Sequence, residues 1–364
     1  MRSAGQTLVV IVHPGVFRVP CTHPPMLLRR IILCAATLGF GLIVSTRADE
    51  PAQPPVRKVL FFSKSSNFEH AVIKRNGGQL SLVELVLAET GSKHGIQFTF
   101  SKDGSLFTPE YLAQFDAYMF YTSGDLLAAG KDGNPPMTAA GKAALLDAIR
   151  HGKGFIGVHS AADTFHTGET VSTNTNQART WRYKNFGDQA DPYARMLGAG
   201  FIVHGVQQIS NARVPDRKFP GFTSKGDVQP IFEEWYSLID FSHDLHVLLV
   251  VETDAMRDPD AAPGTPITDF YKPYVRPPYP STWAHLYGQG RVFYTSLGHN
   301  SSMWGSKDFQ DILYGGIAWA VRNVDADVTP NIDQVTPHAW DLPPVSKPVS
   351  STPKKKPAQP AVGL

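Results

Sequence analysis

Three histidines, His70, His159 and His299, each lie just beyond a short apolar segment that is typical of a buried β-strand. Such residues are expected to meet at one edge of a parallel sheet, because ligands of these sheets bind beyond the carboxyl ends of the strands. An imidazole exchanges a proton near neutral pH and also binds metal ions. One such histidine alone is more typical of a structural role, but three at one edge favour a functional site.

His159 occupies a sharp strand-to-helix turn, in the segment Gly157-Val158-His159-Ser160-Ala161. Enzymes with a G-x-S-x-G or G-x-C-x-G pattern hold their nucleophile at this position. A histidine there can act as a base, a metal ligand or a donor to a ligand, but it cannot form an acyl-enzyme. Ser160 is expected to cap the next helix or to contact a substrate. Asp163, four residues after His159, is expected to orient that imidazole or to favour the helix N-terminus electrostatically.

Strand-like and helix-like segments alternate through the first part of the chain. The predicted strands are Lys58–Ser63, Ile96–Ser101, Asp116–Thr122 and Gly154–His159, separated by helices over Leu80–Glu89 and from the N-cap Thr138 to His151. Strands that alternate with helices predict a mainly parallel sheet covered on both faces. The predicted fold is therefore α/β, a flavodoxin-like three-layer sandwich.

The later part of the chain predicts more strands and fewer helices. Strands are expected over Val206–Val214, Trp235–Asp240, Val247–Glu252, Ser281–Leu286 and Gly290–Ser296, helices over Asp191–Leu197 and Lys307–Val321, and loops over Thr167–Ala178 and Asp254–Pro280. Domain limits follow from composition. A single domain over residues 57–325 is expected between a Pro-rich linker (49–56) and a disordered tail rich in Pro and Lys (326–364).

The N-terminus predicts export. The basic start Met26–Arg30, the uncharged apolar run Ile31–Val44 and the small residues around Ala48 form the three-part pattern of a signal peptide. Residues 1–25 fit no export pattern, so translation is expected to start at Met26. Cleavage after Ala48 delivers the protein to the periplasm or the exterior. An uncleaved membrane anchor is the alternative, and it would be the protein's one contact with a membrane.

Composition narrows the chemistry. The chain of 364 residues carries a net charge of +2, which gives no electrostatic argument for binding nucleic acid. Its 2 cysteines, Cys21 and Cys34, both precede the predicted cleavage site. The mature chain is therefore expected to have no disulfide, no thiolate metal ligand and no cysteine nucleophile.

Several blocks of the sequence together resemble the trehalose-utilisation (ThuA-like) family. The matching blocks are Lys58–Ser63 with His70, Gly152–Phe165 (GKGFIGVHSAADTF), Tyr193–His204, Glu233–Tyr236 (EEWY), Val247–Glu252 and Ser281–His299 (STWAHLYGQGRVFYTSLGH). The resemblance implies a class I glutamine amidotransferase-like fold and a link to carbohydrate metabolism. True amidotransferases carry a cysteine at the strand-to-helix turn where this chain has His159, and they carry a His-x-Glu pair later in the chain. This chain has His159 and His299-Asn300-Ser301 instead, which excludes glutaminase chemistry.

Together with the predicted signal peptide, this link to carbohydrate metabolism favours an exported enzyme that acts on a small sugar or an oxidised sugar derivative. His159 and His299 are the expected proton-handling residues, with His70 and Asp163 in support. The expected substrate contacts come from Ser160, His204, Glu234, Asn300 and Trp304. A non-catalytic carbohydrate-binding protein and a structural or partner-binding protein remain alternatives, and the oligomeric state is not predicted.

A divalent metal is a further candidate. Without cysteine, any ion would be held by imidazole and carboxylate groups, which suits Zn, Mn or Fe. Candidate ligands, His285 among them, are spread along the chain without H-x-H or H-E-x-x-H spacing. A metal site would have to be assembled from distant segments. A metal-free pocket, in which histidines move protons on a sugar hydroxyl or carbonyl, is the alternative.

Overall fold

The structure, a computed structural model, describes residues 55–130, 132–167, 184–256 and 273–343. The strands within these ranges are β1 (Arg57–Phe62), β2 (Ile96–Ser101), β3 (Ala117–Phe120), β4 (Gly154–Val158), β5 (Gly200–His204), β6 (Gln208–Arg213), β7 (Val228–Glu233), β8 (Tyr236–Ile239), β9 (His246–Val251), β10 (Tyr279–Tyr287) and β11 (Gly290–Thr295). The helices are α1 (Leu82–Gly91), α2 (Pro109–Ala113), α3 (Ala139–Arg150), α4 (Pro192–Leu197), α5 (Ser301–Gly305), α6 (Lys307–Ala320) and α7 (Ile332–Val335).

Nine strands form the main sheet in the order β2-β1-β3-β4-β11-β10-β9-β6-β7, and β5 pairs with β8 in a second, two-stranded sheet. Strands β2, β1, β3, β4 and β11 run parallel, whereas β10, β9, β6 and β7 continue antiparallel. The predicted α/β flavodoxin-like fold is confirmed. The antiparallel half extends it on the far side of β11.

Helices cover both faces of the parallel half. On β11, Phe293 packs against Gly316 of α6, while the next residue, Tyr294, faces the side of α4. Successive residues of a strand point to opposite faces, so α6 and α4 lie on opposite sides of the sheet. All residues of β3 and β4 are buried, as strands covered on both faces must be.

Local signals explain where the helices begin. Ser81 and Glu84 form a capping box at α1, in which the Glu84 N–H donates to Ser81 Oγ at 3.3 Å and the Ser81 N–H donates to Glu84 Oε2 at 2.8 Å. The predicted N-cap Thr138 accepts the N–H of Gly141 at 2.9 Å at the start of α3. Asp191 caps α4, and Pro192 occupies its first turn.

Some elements differ from the prediction. Strands β5 and β7 and helices α2, α5 and α7 were not predicted, and the strand expected over Val206–Val214 is shortened to β6. β7 is an edge strand whose residues alternate between half-buried and exposed up to Glu233, so it has no continuous apolar run from which it could be predicted. Most of the loops expected over Thr167–Ala178 and Asp254–Pro280 lies outside the described residues, and Tyr279 and Pro280 already belong to β10.

The tail prediction is wrong for residues 326–343. These residues pack against the domain, with Ile332 and Ala339 buried. Asn331 receives the N–H of Val247 on its Oδ1 at 2.6 Å, and Arg276 donates to the carbonyl of Ala339 at 2.6 Å. Composition concealed this segment because few apolar side chains hold it. Residues 344–364, the linker residues 49–54 and the predicted signal peptide lie outside the described residues. Within the described ranges, the structure has no helix with the length and apolarity needed to span a membrane.

Candidate functional site

Four ionisable side chains converge at the carboxyl edge of the parallel strands. His70, His159, Glu234 and His299 each offer one nitrogen or oxygen atom, and these four atoms all lie within 4.8 Å of one another. His70 follows β1, His159 follows β4, Glu234 lies between β7 and β8, and His299 follows β11. The sheet thus brings the three strand-end histidines together, and the connection between β7 and β8 adds the carboxylate of Glu234. We call this set the His/Glu centre.

His159 is held by its backbone and by one ring nitrogen. Its φ of 46° lies in the left-handed region, which a non-glycine residue rarely occupies. Its carbonyl accepts a hydrogen bond from the Tyr294 hydroxyl at 2.9 Å. Its Nδ1 lies 2.7 Å from the Ser296 carbonyl oxygen. Because a carbonyl only accepts, Nδ1 carries the proton and Nε2 is the nitrogen directed at the centre.

Nε2 of His159 lies 3.3 Å from His299 Nδ1 and 3.5 Å from Glu234 Oε2. His299 Nδ1 is itself 3.1 Å from the same carboxylate oxygen. The other oxygen of Glu234, Oε1, lies 3.3 Å from Nδ1 of His204. Glu234 is therefore the common partner of three imidazoles.

The turn that carries His299 is anchored from three directions. Gly298, at a φ of +118°, donates its N–H to Glu233 Oε2 at 2.8 Å. Its carbonyl accepts from the Trp304 indole at 2.9 Å and from the Tyr121 hydroxyl at 3.2 Å. Because every polar group of this glycine is bound, His299 enters the centre in a defined position.

Glu233 and Glu234 are adjacent but have different roles. Glu233 is fully buried, and its Oε1 accepts the N–H of Glu234 at 2.8 Å while Oε2 holds Gly298. Burial raises the pKa of Glu233, against the opposing effect of His159 and of these two backbone N–H groups. Glu233 therefore positions two segments of the centre without offering an atom to it.

Charge is unevenly distributed over the centre. Burial alone would raise the pKa of Glu234, but hydrogen bonding with His159 and His299 outweighs it and holds the pKa well below its usual range. Burial alone would lower the pKa of His299, but its hydrogen bond to Glu234 raises the pKa above its ordinary value. Burial, with the nearby His159 and His299, lowers the pKa of His70 well below its ordinary value. Glu234 is thus ionised and His70 neutral near neutral pH.

Several buried polar atoms around the centre have no hydrogen-bond partner among the described residues. They include His70 Nδ1, Ser160 Oγ, Ser296 Oγ and Asn300 Nδ2. His70 instead packs edge-on against the rings of His159 at 4.9 Å and His299 at 5.3 Å. Ser160 does not cap the short 3-10 turn His159–Asp163 that follows β4, contrary to the role favoured from its position. Polar atoms next to the centre are therefore left unsatisfied by the described residues.

Other predicted site residues have hydrogen-bond partners outside the His/Glu centre. The carboxylate of Asp163 lies 2.5 Å from His166 Nε2, a histidine that sequence reasoning did not select. The prediction that Trp304 contacts a ligand is not supported, because its indole is fully buried and donates its N–H to the Gly298 carbonyl. His285 is also fully interior: its Nε2 lies 2.9 Å from the Met196 carbonyl, so it is a structural histidine.

Sequence reasoning missed Glu233, Tyr121 and Ser296. Tyr121 follows β3 at the same sheet edge, so the strand-end argument that selected the histidines could also have selected it. Glu233 had only a weak signal, as the first of two consecutive acids in the EEWY block, because the strand that ends there was not predicted. Nothing in the sequence indicates Ser296, since its contribution to His159 is a backbone carbonyl.

The molecule is thus an α/β protein of flavodoxin-like architecture, with a polar centre at the turn that follows β4. Over residues 58–320 the chain matches the ThuA family, described as trehalose utilisation, and it belongs to this family.

Solved structures with similar folds have low identity. One, described as a ThuA-like protein from Bacteroides uniformis, is 16% identical with a TM-score of 0.48, over 78% of this chain and 98% of that one. Another, described as ThuA-like and from Parabacteroides merdae, is 16% identical with a TM-score of 0.45, over 75% of this chain and 93% of that one. The comparison with curated proteins gave no match.

Proposed function

We propose that this protein is an exported carbohydrate-processing enzyme that acts on a small sugar or an oxidised sugar derivative. The reaction takes place at the His/Glu centre. Family membership supports the link to carbohydrate metabolism. The observation that carries the proposal is the convergence of three imidazoles and one carboxylate within 4.8 Å at the sheet edge where α/β proteins bind their ligands.

The polar character of the centre suits a sugar. The hydroxyl groups of a small sugar donate and accept hydrogen bonds, and its carbonyl group accepts them. A buried polar atom left without a partner costs about 1–3 kcal/mol. Ser160 Oγ and Asn300 Nδ2 follow His159 and His299 directly in the chain and have no partner among the described residues. A sugar oxygen that reached either atom would supply the hydrogen bond that it lacks.

The approach to the centre is from the side of Glu234 and His299. The side chains of Glu234 and His299 are 11% and 20% exposed, whereas that of His159 is 0% exposed. The side chain of His204, whose Nδ1 lies next to Oε1 of Glu234, is 43% exposed. A sugar oxygen therefore meets Glu234 and His299 first, with His70 and His159 as the floor, and His204 lies where it can contact the rest of the ligand.

The test is turnover by single-residue variants. Small sugars, trehalose among them, and their carbonyl-oxidised derivatives are incubated with the mature protein, and conversion is followed by chromatography and NMR. His159→Ala and His299→Ala are each expected to lower kcat/KM by at least about 10²-fold, the scale of a lost acid–base or activating group. The matched control is His151→Ala, which removes an exposed imidazole on the far end of α3.

If the wild type converts a sugar and neither variant lowers its kcat/KM, the assignment of the reaction to the His/Glu centre is wrong. If the wild type binds sugars without converting any, the protein is a carbohydrate-binding protein on the same scaffold instead.

A further inference from the structure

We infer that His70, His159, Glu234 and His299 are the ligands of a divalent transition-metal ion, of the kind that imidazole and carboxylate groups bind: zinc, iron or manganese. The inference rests on the proposed function only in naming how the same centre would activate a sugar oxygen. Its evidence is the geometry of four side chains, and its test measures metal rather than turnover.

The spacing of the ligand atoms fits an ion. Bonds of 2.0–2.1 Å in tetrahedral geometry place neighbouring ligand atoms about 3.3 Å apart. His159 Nε2, His299 Nδ1 and Glu234 Oε2 are separated by 3.1, 3.3 and 3.5 Å. The three atoms thus form a triangle of the size that such an ion requires, and the fourth residue, His70, lies within 4.8 Å of them all.

A proton cannot satisfy this arrangement as well as an ion can. A hydrogen bond joins two atoms, and three imidazole nitrogens and one carboxylate oxygen here point into one small space. His70 Nδ1 is left without a partner among the described residues, and His70 is only 4% exposed. One cation accepts an electron pair from all four groups at once, and the carboxylate compensates part of its charge.

Residues behind the ligands hold them in place. A metal-binding histidine usually donates its other ring N–H to a carbonyl or a carboxylate, which orients the ring. His159 Nδ1 does this with the Ser296 carbonyl at 2.7 Å. Glu233 anchors the backbone N–H of Glu234 and that of Gly298, which precedes His299, both at 2.8 Å. Three of the four ligands are therefore positioned by bonds that do not involve the ion.

The exposed side of the centre would leave the ion accessible. Glu234 and His299 are partly exposed, so a sugar oxygen can reach the ion from their side as a fifth ligand, an expansion of coordination known for zinc. An accessible ion supplies Lewis-acid chemistry, because it polarises a carbonyl oxygen or lowers the pKa of a bound hydroxyl.

The experiment uses the mature protein prepared without a histidine tag. Metal is removed with a chelator, the protein is titrated with Zn²⁺ by calorimetry, and bound zinc is counted by elemental analysis after gel filtration. We expect one zinc ion per chain. We also expect His159→Ala, His299→Ala and Glu234→Gln each to weaken binding by more than 100-fold, with His151→Ala as the unaffected control.

Folding of each variant is checked by circular dichroism, and Glu234→Gln serves if an alanine variant fails to fold, because it preserves side-chain size. Substitution with Co²⁺ gives a second readout, since its visible spectrum reports nitrogen and oxygen ligands directly. Wild-type protein that retains no zinc, or zinc binding equal in wild type and folded variants, overturns the inference.

The two proposals fail separately. Zinc bound at this centre without conversion of any sugar leaves the metal site intact and contradicts the proposed function. Conversion of a sugar by protein that contains no metal and is insensitive to chelators supports the proposed function and contradicts the metal site.

Discussion

At the scale of single residues, Glu233 illustrates how a side chain can shape a site that it does not enter. Its two carboxylate oxygens accept the N–H groups of Glu234 and Gly298, each at 2.8 Å. These two segments come from different halves of the sheet. A carboxylate suits this role because it only accepts, so both N–H groups find an oxygen.

We therefore predict that Glu233→Gln weakens Zn²⁺ binding by about 10–100-fold, the usual effect of losing an outer partner of a metal ligand. The amide nitrogen of glutamine would face an N–H donor, which lowers the free energy of unfolding by about 1–3 kcal/mol. Calorimetric titration and urea unfolding measure the two effects. The control is Glu89→Gln, whose carboxylate is 77% exposed. A Co²⁺ spectrum unchanged by Glu233→Gln would contradict the positioning role.

His285 gives a prediction about pH. Burial lowers its pKa to about 4 in the folded protein, whereas an unfolded histidine titrates near 6.5. Between these values the unfolded chain binds the extra proton, so the stabilisation is complete above pH 6.5 and is lost as the pH falls towards 4. The free energy of unfolding should therefore decrease from pH 7 through pH 5.5 to pH 4.5, and His285 should account for up to about 3 kcal/mol of this decrease.

His285→Gln, whose amide can still donate to the Met196 carbonyl, should show a smaller decrease than the wild type over the same pH range. His243→Gln removes a histidine with a 71% exposed side chain and is the control for the loss of one imidazole. Identical pH profiles for wild type and His285→Gln would show that the buried imidazole is not the source of the effect.

At the scale of elements, the carboxyl end of β11 is the junction between sheet and site. Gly298 adopts a φ of +118°, and a Cβ there would lie 3.1 Å from Val158 on the neighbouring strand β4. Residues other than glycine are strained at such a positive φ, because of their Cβ atom. The glycine therefore allows β11 to turn sharply and to present His299 beside His159.

Gly298→Ala is expected to lower the free energy of unfolding by about 1–3 kcal/mol, the range for a residue held in a disfavoured conformation. It should also weaken zinc binding, since His299 would shift with its turn. Chemical unfolding and metal titration report on each consequence. Gly305→Ala is the matched control, because a Cβ there meets no atom within 4 Å. Equal losses in both variants would argue against a special role for the turn.

The elements also show what the sequence can predict. The parallel strands were predicted to within about two residues because burial on both faces makes them continuous apolar runs, as in KVLFF and GFIGV. β7 (VQPIFE) was missed because an edge strand is partly exposed and carries a proline. His70, His159 and His299 were selected by the strand-end argument. The inward role of Glu234 and the anchoring by Glu233 depend on the antiparallel half, whose pairing no local pattern specifies.

At the scale of the whole molecule, the segment after α6 closes the domain. Arg276 is buried and joins β8 to this segment: it donates to the Leu238 carbonyl and to the Ala339 carbonyl, both at 2.6 Å. Asn331 bonds the backbone of Val247 on β9 in both directions. Residues 326–343 thus behave as part of the antiparallel half rather than as an appendage.

A chain that ends at residue 325 is therefore expected to lose several kcal/mol of stability, because it exposes carbonyl and N–H groups that Arg276 and Asn331 now satisfy. A chain that ends at residue 343 keeps those bonds and is the control. Thermal unfolding of the two truncated proteins beside the full chain measures the difference. Equal melting temperatures would mean that residues 326–343 contribute nothing to the fold.

The four residues of the His/Glu centre span more than 200 positions along the chain and come from segments that meet only in the finished sheet. The unfolded chain therefore cannot assemble the centre around an ion, unlike a zinc finger, whose nearby ligands let the metal drive folding. Its long-range strand pairings must form first, and such pairings are slow. Tight binding of one ion would consequently report that the last strand has been placed, which makes occupancy a measure of correct folding in any preparation.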